Sequence, residues 1–300
     1  MNKTEREEFL RTRHEYLGGT DIADLALAKI GLRGYRTPFQ LYQEKLQLCE
    51  PEDLSAEERI DFGNRLEPVL RQWFSDKTGK QVVTVPEPIS HPQYPFIRAN
   101  IDGRVVDESA GLECKNVDRF AALDTEKWGA EAGDDRVPPR HFLQCMSYLA
   151  CTSFERWYLA ACIGGNSARV YIVEPQPEII ERVVSIAVAF WTQNVLKKIP
   201  PAAIDIEDAR KKFPTSYESF LEADAHLAER VERLRELKAQ AKDINTEVET
   251  LQGEIGEFLG PSSVLTYNGK ELLTWKTQHN KGYVVEPYES RVMRLKAVKK

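Results

Sequence analysis

The sequence predicts a mixed α/β domain of roughly 200 residues followed by a helical appendage. Three observations carry that expectation. Strand-like and helix-like patterns alternate between residues 10 and 200. Apolar residues recur on a seven-residue period between positions 234 and 258, and Asn268-Gly269 then separates two short strand-like runs.

The elements follow in order. Residues 20–29 read as a helix capped by Thr20 or Asp21 behind the Gly18-Gly19 pair. Residues 38–45 form a second helix, with Thr37 ahead of its proline. Ser55, with Glu58 three positions on, is a capping box for a third helix running through Phe62, Leu66, Val69, Leu70 and Trp73. Strands are expected at 81–85, 96–101 and 112–116, with 101–106 a short strand joined to the last through a turn at 107–111. A helix at 140–150, strands at 156–162 and 168–173, and a long helix at 178–195 close the domain. That order gives a mixed sheet flanked by helices, with the 100–116 segment at its centre.

Residues 201–216 carry prolines and charges, as a linker does. Beyond them Leu234, Ala241, Val248 and Ile255 repeat every seven residues, with Leu237, Ile244, Leu251 and Phe258 interleaved. This is a coiled-coil-like seam, and it ends at Gly260-Pro261. Seven large apolar side chains on one stripe demand a partner surface, and self-association is the first expectation. Asn268-Gly269 is the strongest short signal for a β-hairpin. A last strand-like run ends in Arg291-Val292-Met293-Arg294-Leu295-Lys296. The expected domains are therefore 1–200, a linker at 201–216, and a helix-plus-hairpin region at 217–300.

Composition bounds the function. The 300 residues are 42% hydrophobic and 29% charged, with no apolar run long enough to span a bilayer. The charged N-terminus, residues 1–13, has no signal-peptide core. Five cysteines, Cys49, Cys114, Cys145, Cys151 and Cys162, include no C-x-x-C pair. This argues against a disulfide framework, a zinc ribbon and an iron–sulfur cluster, and points to a reducing cytoplasm. The net charge of −6 is unevenly spread: residues 201–262 hold 8 basic against 14 acidic residues, residues 263–300 hold 8 against 3. Such a balance neither supports nor excludes DNA binding, since an enzyme touching few phosphates needs only a local basic funnel.

The chemistry concentrates between residues 100 and 116, N-I-D-G-R-V-V-D-E-S-A-G-L-E-C-K-N. Alternate strand residues share a face, so Glu113 and Lys115 point the same way with Cys114 between them. Asp102, near the end of the neighbouring strand, can reach that face. Two carboxylates and an ammonium then converge, an arrangement that favours a hard divalent cation such as Mg²⁺ or Mn²⁺. Glu67 alone reads as a solvated helix charge; beside Asp102 and Glu113 it is a candidate third carboxylate. Gln144 and Tyr148 lie four residues apart and share a helix face, turned either to water or to the metal site. His14 and His141 read as surface residues.

Gly18-Gly19-Thr20-Asp21-Ile22-Ala23, then Gly63-x-x-x-Glu67, Asp102, Glu113-x-Lys115 and Gln144 together resemble the YqaJ-like viral recombinase family. That family belongs with lambda exonuclease in the PD-(D/E)xK nuclease superfamily, and the resemblance spans roughly residues 8–200. It implies a restriction-endonuclease-like core. By the resemblance Asp102, Glu113 and the backbone carbonyl of Cys114 ligate Mg²⁺, for which Mn²⁺ substitutes. Lys115 helps to deprotonate the attacking water, Glu67 supports a second metal and Gln144 supports the nucleophile. Thr20 and Arg13 fall where the family binds a DNA 5′-phosphate, and Tyr148 is a possible supporting residue. Cys114 departs from the usual apolar residue, but only its carbonyl is required. The implied activity is a 5′→3′ double-strand-DNA exonuclease of phage or prophage origin. It would act on DNA ends as a ring-like trimer beside a single-strand annealing recombination protein, with no membrane association. A structure-specific or restriction-like endonuclease is the alternative, and a non-catalytic DNA-binding or assembly protein on the same fold is the second.

Overall fold

A computed structural model describes residues 11–49, 57–121, 128–129, 134–279, 282 and 293. Two compact units emerge, residues 1–212 and 213–300.

In the first unit, helix α1 (Gly19–Lys29) begins one residue earlier than expected, because Gly18 is its cap. The Asp21 carboxylate reaches back to accept the Gly18 N–H at 3.1 Å. Helix α2 (Pro38–Lys45) opens on a complete capping box between Thr37 and Gln40. Helix α3 (Glu58–Thr78) stops at Gly79, whose φ of 72° is the left-handed conformation that ends helices. Its expected cap, Ser55, lies outside the described residues.

The central sheet has the order β1-β4-β5-β6-β7. Its strands are β1 (Val82–Val83), β4 (Gly103–Val105), β5 (Ala110–Val117), β6 (Arg156–Ile163) and β7 (Ser167–Val173). Neighbours are antiparallel except β5 and β6, which run parallel from Ala110↔Arg156 to Val117↔Ile163. A parallel pair needs a crossover, and helix α4 (Pro139–Thr152) lies within it. The segment expected as a strand at 96–101 does not join this sheet. Only β3 (Arg98–Ala99) is strand, paired with β2 (Ile89–Ser90), while Leu17 bridges to Ile97. Its Ile97, Ala99 and Ile101 still enter the larger core cluster, with β3 packed on helix α4.

Strand alternation sorts the core. Trp157, Leu159 and Ala161 of β6 join the larger cluster, with Leu25 of α1, Met146 and Leu149 of α4, and Val183 and Ala187 of α5 (Pro177–Phe190). Tyr158 and Ala160 face the other way, joining Leu112 of β5 and Phe74 of α3. Helices therefore cover both faces. Gly111 is required here, since a Cβ on it would stand 2.3 Å from the Trp157 ring. Among the described residues, no helix is long and apolar enough to cross a membrane.

The stretch expected as a linker is ordered in part. Helix α6 (Ile206–Lys212) belongs to the first unit, and its buried Asp208 accepts a 2.7 Å hydrogen bond from Thr37 Oγ1. That buried polar pair holds 206–212 to the start of α2.

The second unit contains α7 (Ala225–Leu259) and the hairpin β8 (Val264–Tyr267) and β9 (Lys270–Thr274). Asn268 and Gly269 have φ of 51° and 74°, the paired positive values of a type I′ turn. Trp275 lies over Gly256, 3.3 Å from where a Cβ would stand. The strand-like run ending at Lys296 falls outside the described residues, Met293 excepted.

Candidate active site

Asp102 sits immediately before β4, one position beyond the Gly103↔Leu112 pair, which places it across from Glu113. Its Oδ2 accepts the Cys114 N–H at 2.7 Å. Glu113 is buried, and its Oε1 accepts both from Lys115 Nζ and, at 2.9 Å, from Gln144 Nε2. The same amide nitrogen donates to the Tyr148 hydroxyl oxygen at 2.7 Å. Asp102, Glu113, Lys115, Gln144 and Tyr148 thus lie in one neighbourhood.

Electrostatics follow from the crowding. Burial raises the Asp102 pKa, and the carboxylates of Glu113 and Glu67 raise it further. Burial alone lowers Lys115, but Glu113 and Asp102 outweigh it and hold the ammonium protonated. The Tyr148 phenol is pushed well up by burial, then by Glu113 and Asp102. Glu113 Oε2 and Gln144 Oε1 are buried without a hydrogen-bond partner. Such atoms are costly unless something binds there.

Glu67 occupies a different position. Leu112 and Cys114 turn toward the α3 core while Glu113 faces Gln144 of α4, so Glu67, on α3, approaches from the Cys114 side. Its Oε1 accepts from Arg71 at 2.8 Å, and the same Arg71 nitrogen donates to the Asp102 carbonyl at 2.6 Å. Among the described residues no three His, Cys, Asp or Glu side chains converge tightly enough to hold a metal by themselves. The facing carboxylates of Asp102 and Glu113 are what this site could offer a cation.

Thr20 is the second residue of α1, and Gly19 before it packs on α4. A Cβ at Gly19 would stand 2.5 Å from Tyr148 Cε1. Arg13 is ion-paired with Asp21 (3.4 Å) and Glu44 (2.9 Å). Asp21 also accepts from the buried Lys45 at 2.8 Å and pairs with Arg36, forming a charge network beneath the start of α1.

Two residues that the sequence did not place at the site lie there. Arg71 lies one turn after Glu67, a spacing that signals an ion pair but says nothing of Asp102. His141, expected at the surface, is largely covered: its ring lies 5.6 Å from that of Trp128, and its Nδ1 is buried without a partner. Burial first, then Lys115 and Arg140, lowers its pKa to about 3, so the imidazole is neutral. It stands one turn before Gln144, at the same site.

Residues 8–155 match the model of the YqaJ-like viral recombinase domain. Protein YqaJ of Bacillus subtilis, itself uncharacterized, is 28% identical over 258 residues, covering 83% of this chain and 77% of that protein. The alkaline exonuclease LHK-Exo of Laribacter hongkongensis superposes with a TM-score of 0.51 at 19% identity, over 69% of this chain and 97% of that one. Its complex with dAMP gives the same values. The central sheet and its flanking helices share the fold of these neighbours, of the PD-(D/E)xK type, and a C-terminal helix and hairpin follow in the chain. The likeness to the YqaJ-like viral recombinase domain therefore holds over residues 8–155, just under half of the chain.

Proposed function

We propose that this protein is a Mg²⁺-dependent exonuclease that degrades double-stranded DNA from 5′ ends, working beside a single-strand annealing protein in recombination. The observation that carries the reading is the buried Glu113, with one oxygen held by Lys115 and Gln144 and the other unpartnered beside Asp102. The family of the domain and the alkaline-exonuclease fold neighbour support it.

The donor set fits a hard divalent cation. Two facing carboxylates raise each other's cost of ionisation, and a cation between them removes it. Asp102, Glu113 and the Cys114 carbonyl would hold the ion, with Glu67 toward a second position. Bound Mg²⁺, or Mn²⁺, supplies a nucleophilic water near neutral pH and neutralises charge on the scissile phosphate. Lys115 places its ammonium where it stabilises the oxygen that attacks. Gln144 fixes the Glu113 carboxylate through one amide hydrogen, and Tyr148 fixes Gln144 through the other. Arg71 holds the backbone of Asp102.

For the DNA end, the N-terminus of α1 and Thr20 offer a phosphate seat close to this network. Arg13 is already committed to Asp21 and Glu44, so a terminal phosphate competes with those carboxylates for its guanidinium. A homo-oligomer, a ring-like trimer by the family resemblance, would keep the enzyme on its duplex.

Digestion of three substrates with Mg²⁺ tests the reading: linear duplex with 5′-phosphates, linear duplex with 5′-hydroxyls, and closed circles. Fast loss of the first, slower loss of the second and sparing of the third are expected, all abolished by chelation. Efficient cutting of circles would replace the exonuclease with an endonuclease, and undiminished digestion by Glu113→Ala would remove the catalytic assignment.

A further inference from the structure

The connection between α1 and α2 is built around one buried carboxylate. Asp24 of α1 is fully buried, and it accepts the Tyr35 N–H at 3.1 Å, the Arg36 N–H at 3.2 Å and Arg140 Nε at 2.9 Å. Gly34 lies on the same residue, where a Cβ would stand 2.3 Å from the carboxylate and 2.9 Å from the Asp24 Cα. Three consecutive residues are therefore held against α1, in a way that leaves room only for glycine at position 34.

What this clamp holds up is an exposed ring. Tyr35 is 69% exposed, and the Arg140 guanidinium carbon stands 3.7 Å from its ring centroid. One face thus rests on a cation, and that cation is fixed by the same Asp24. A tyrosine recruited for core packing would be covered instead. This one is held rigidly and left largely to water.

Its place is equally specific. Arg140 is the second residue of α4, one turn before Gln144. The ring therefore stands beside the helix that brings Gln144 and Tyr148 to the carboxylates. Lys29 and Arg33, both exposed, flank the same connection, with Arg33 3.1 Å from Asp205. A rigid ring backed by a guanidinium suits a flat, π-rich partner carried on an anionic chain, which describes a nucleobase. An aliphatic side chain of another protein would gain nothing from the cation beneath.

We propose that Tyr35, backed by Arg140, is a stacking platform for an unpaired nucleobase of the DNA end. The site rests on the nuclease reading above and deepens it, giving the end a contact to a base in addition to its phosphate. Every base offers a π-face, so such a platform accepts an end of any sequence.

Equilibrium binding by the full-length chain tests it, with Ca²⁺ replacing Mg²⁺ so that the DNA stays uncut. The probe is a 5′-phosphorylated duplex with a frayed end, carrying 2-aminopurine at successive end positions in separate preparations. Wild type should quench the fluorescence at one of these positions, and Tyr35→Phe should do the same. Tyr35→Leu should lose the quenching and bind about tenfold or more weakly. An abasic residue at the quenched position should weaken wild type by a similar factor and leave Tyr35→Leu unchanged. Wild-type binding indifferent to the abasic residue, or Tyr35→Leu binding as tightly as wild type, overturns the platform alone and leaves the ring to another protein. A loss in Tyr35→Phe equal to that in Tyr35→Leu also overturns it, because the hydroxyl then makes the contact. A wild-type chain that binds no DNA end would remove the nuclease reading together with the platform.

Discussion

Gln144 and Glu113, 31 residues apart in sequence, are joined by a 2.9 Å hydrogen bond from the Gln144 amide to a buried carboxylate oxygen. The bond ties α4 to β5 and leaves each partner one unpartnered buried oxygen. Gln144→Ala removes the one neutral donor on Glu113 among the described residues. Hydrolysis of linear duplex is expected to fall roughly 100-fold or more, as for loss of one oriented donor in a buried site. A fall of less than threefold in kcat would show that Gln144 only fills space.

Asp102→Ala, Glu113→Ala and Lys115→Ala should each abolish Mg²⁺-dependent hydrolysis with the fold retained by circular dichroism. The two carboxylate variants should also lose Mn²⁺ binding in calorimetry, whereas Lys115→Ala should keep most of it. A Lys115 variant that loses metal as completely as Glu113→Ala would contradict the separation of roles.

Arg71 holds both Glu67 and the Asp102 carbonyl. Arg71→Ala should weaken Mn²⁺ affinity by about 10- to 100-fold, the usual cost of removing a residue that orients a ligand. Unchanged affinity would mean that the β4 entry keeps Asp102 in place unaided.

The charge network under α1 predicts acid lability. Burial favours protonation of Asp21, but Lys45, Arg36 and Arg13 outweigh it and hold the carboxyl far below its ordinary range. A carboxylate depressed on folding contributes stability above about pH 4 and loses it as pH falls toward the folded value. Thermal melts between pH 6 and pH 2 should therefore show an acid decline, setting in below about pH 4, that Asp21→Asn flattens. At neutral pH that variant should be less stable by about 3–5 kcal/mol, since it strands buried cations. Parallel acid profiles for variant and wild type would assign the decline elsewhere.

Arg13→Ala should shrink the rate difference between 5′-phosphorylated and 5′-hydroxyl ends without abolishing hydrolysis. Because Arg13 also pairs with Glu44, stability must be measured alongside, and an unaltered rate ratio would remove it from end recognition.

The parts legible in the sequence were those fixed by local rules. Alternation placed Glu113 and Lys115 on one face, Asn268-Gly269 announced its turn, and the seven-residue period located α7. Elements decided by distant partners were not legible. The 96–101 run looked like a sheet strand, yet its hydrogen bonds go to Leu17 and β2. Residues 206–212 looked like linker because Asp208 acquires its meaning from Thr37, 171 positions away. A truncation intended to isolate the first unit therefore belongs after Lys212, not after Pro201. His141 reads as polar surface until Trp128 covers it, and Arg71 as half of a helical ion pair until the Asp102 carbonyl is placed beside it.

The contact of Gly19 with the Tyr148 ring turns a single hydrogen atom into a spacer. Tyr148 leads through Gln144 to Glu113, so the first turn of α1 and strand β5 are geared together without slack. An alanine at position 19 has no room to enter unless the ring swings away and takes its grip on the amide with it. The distance from the start of α1 to Glu113 is thereby a built-in ruler, set by the smallest side chain available.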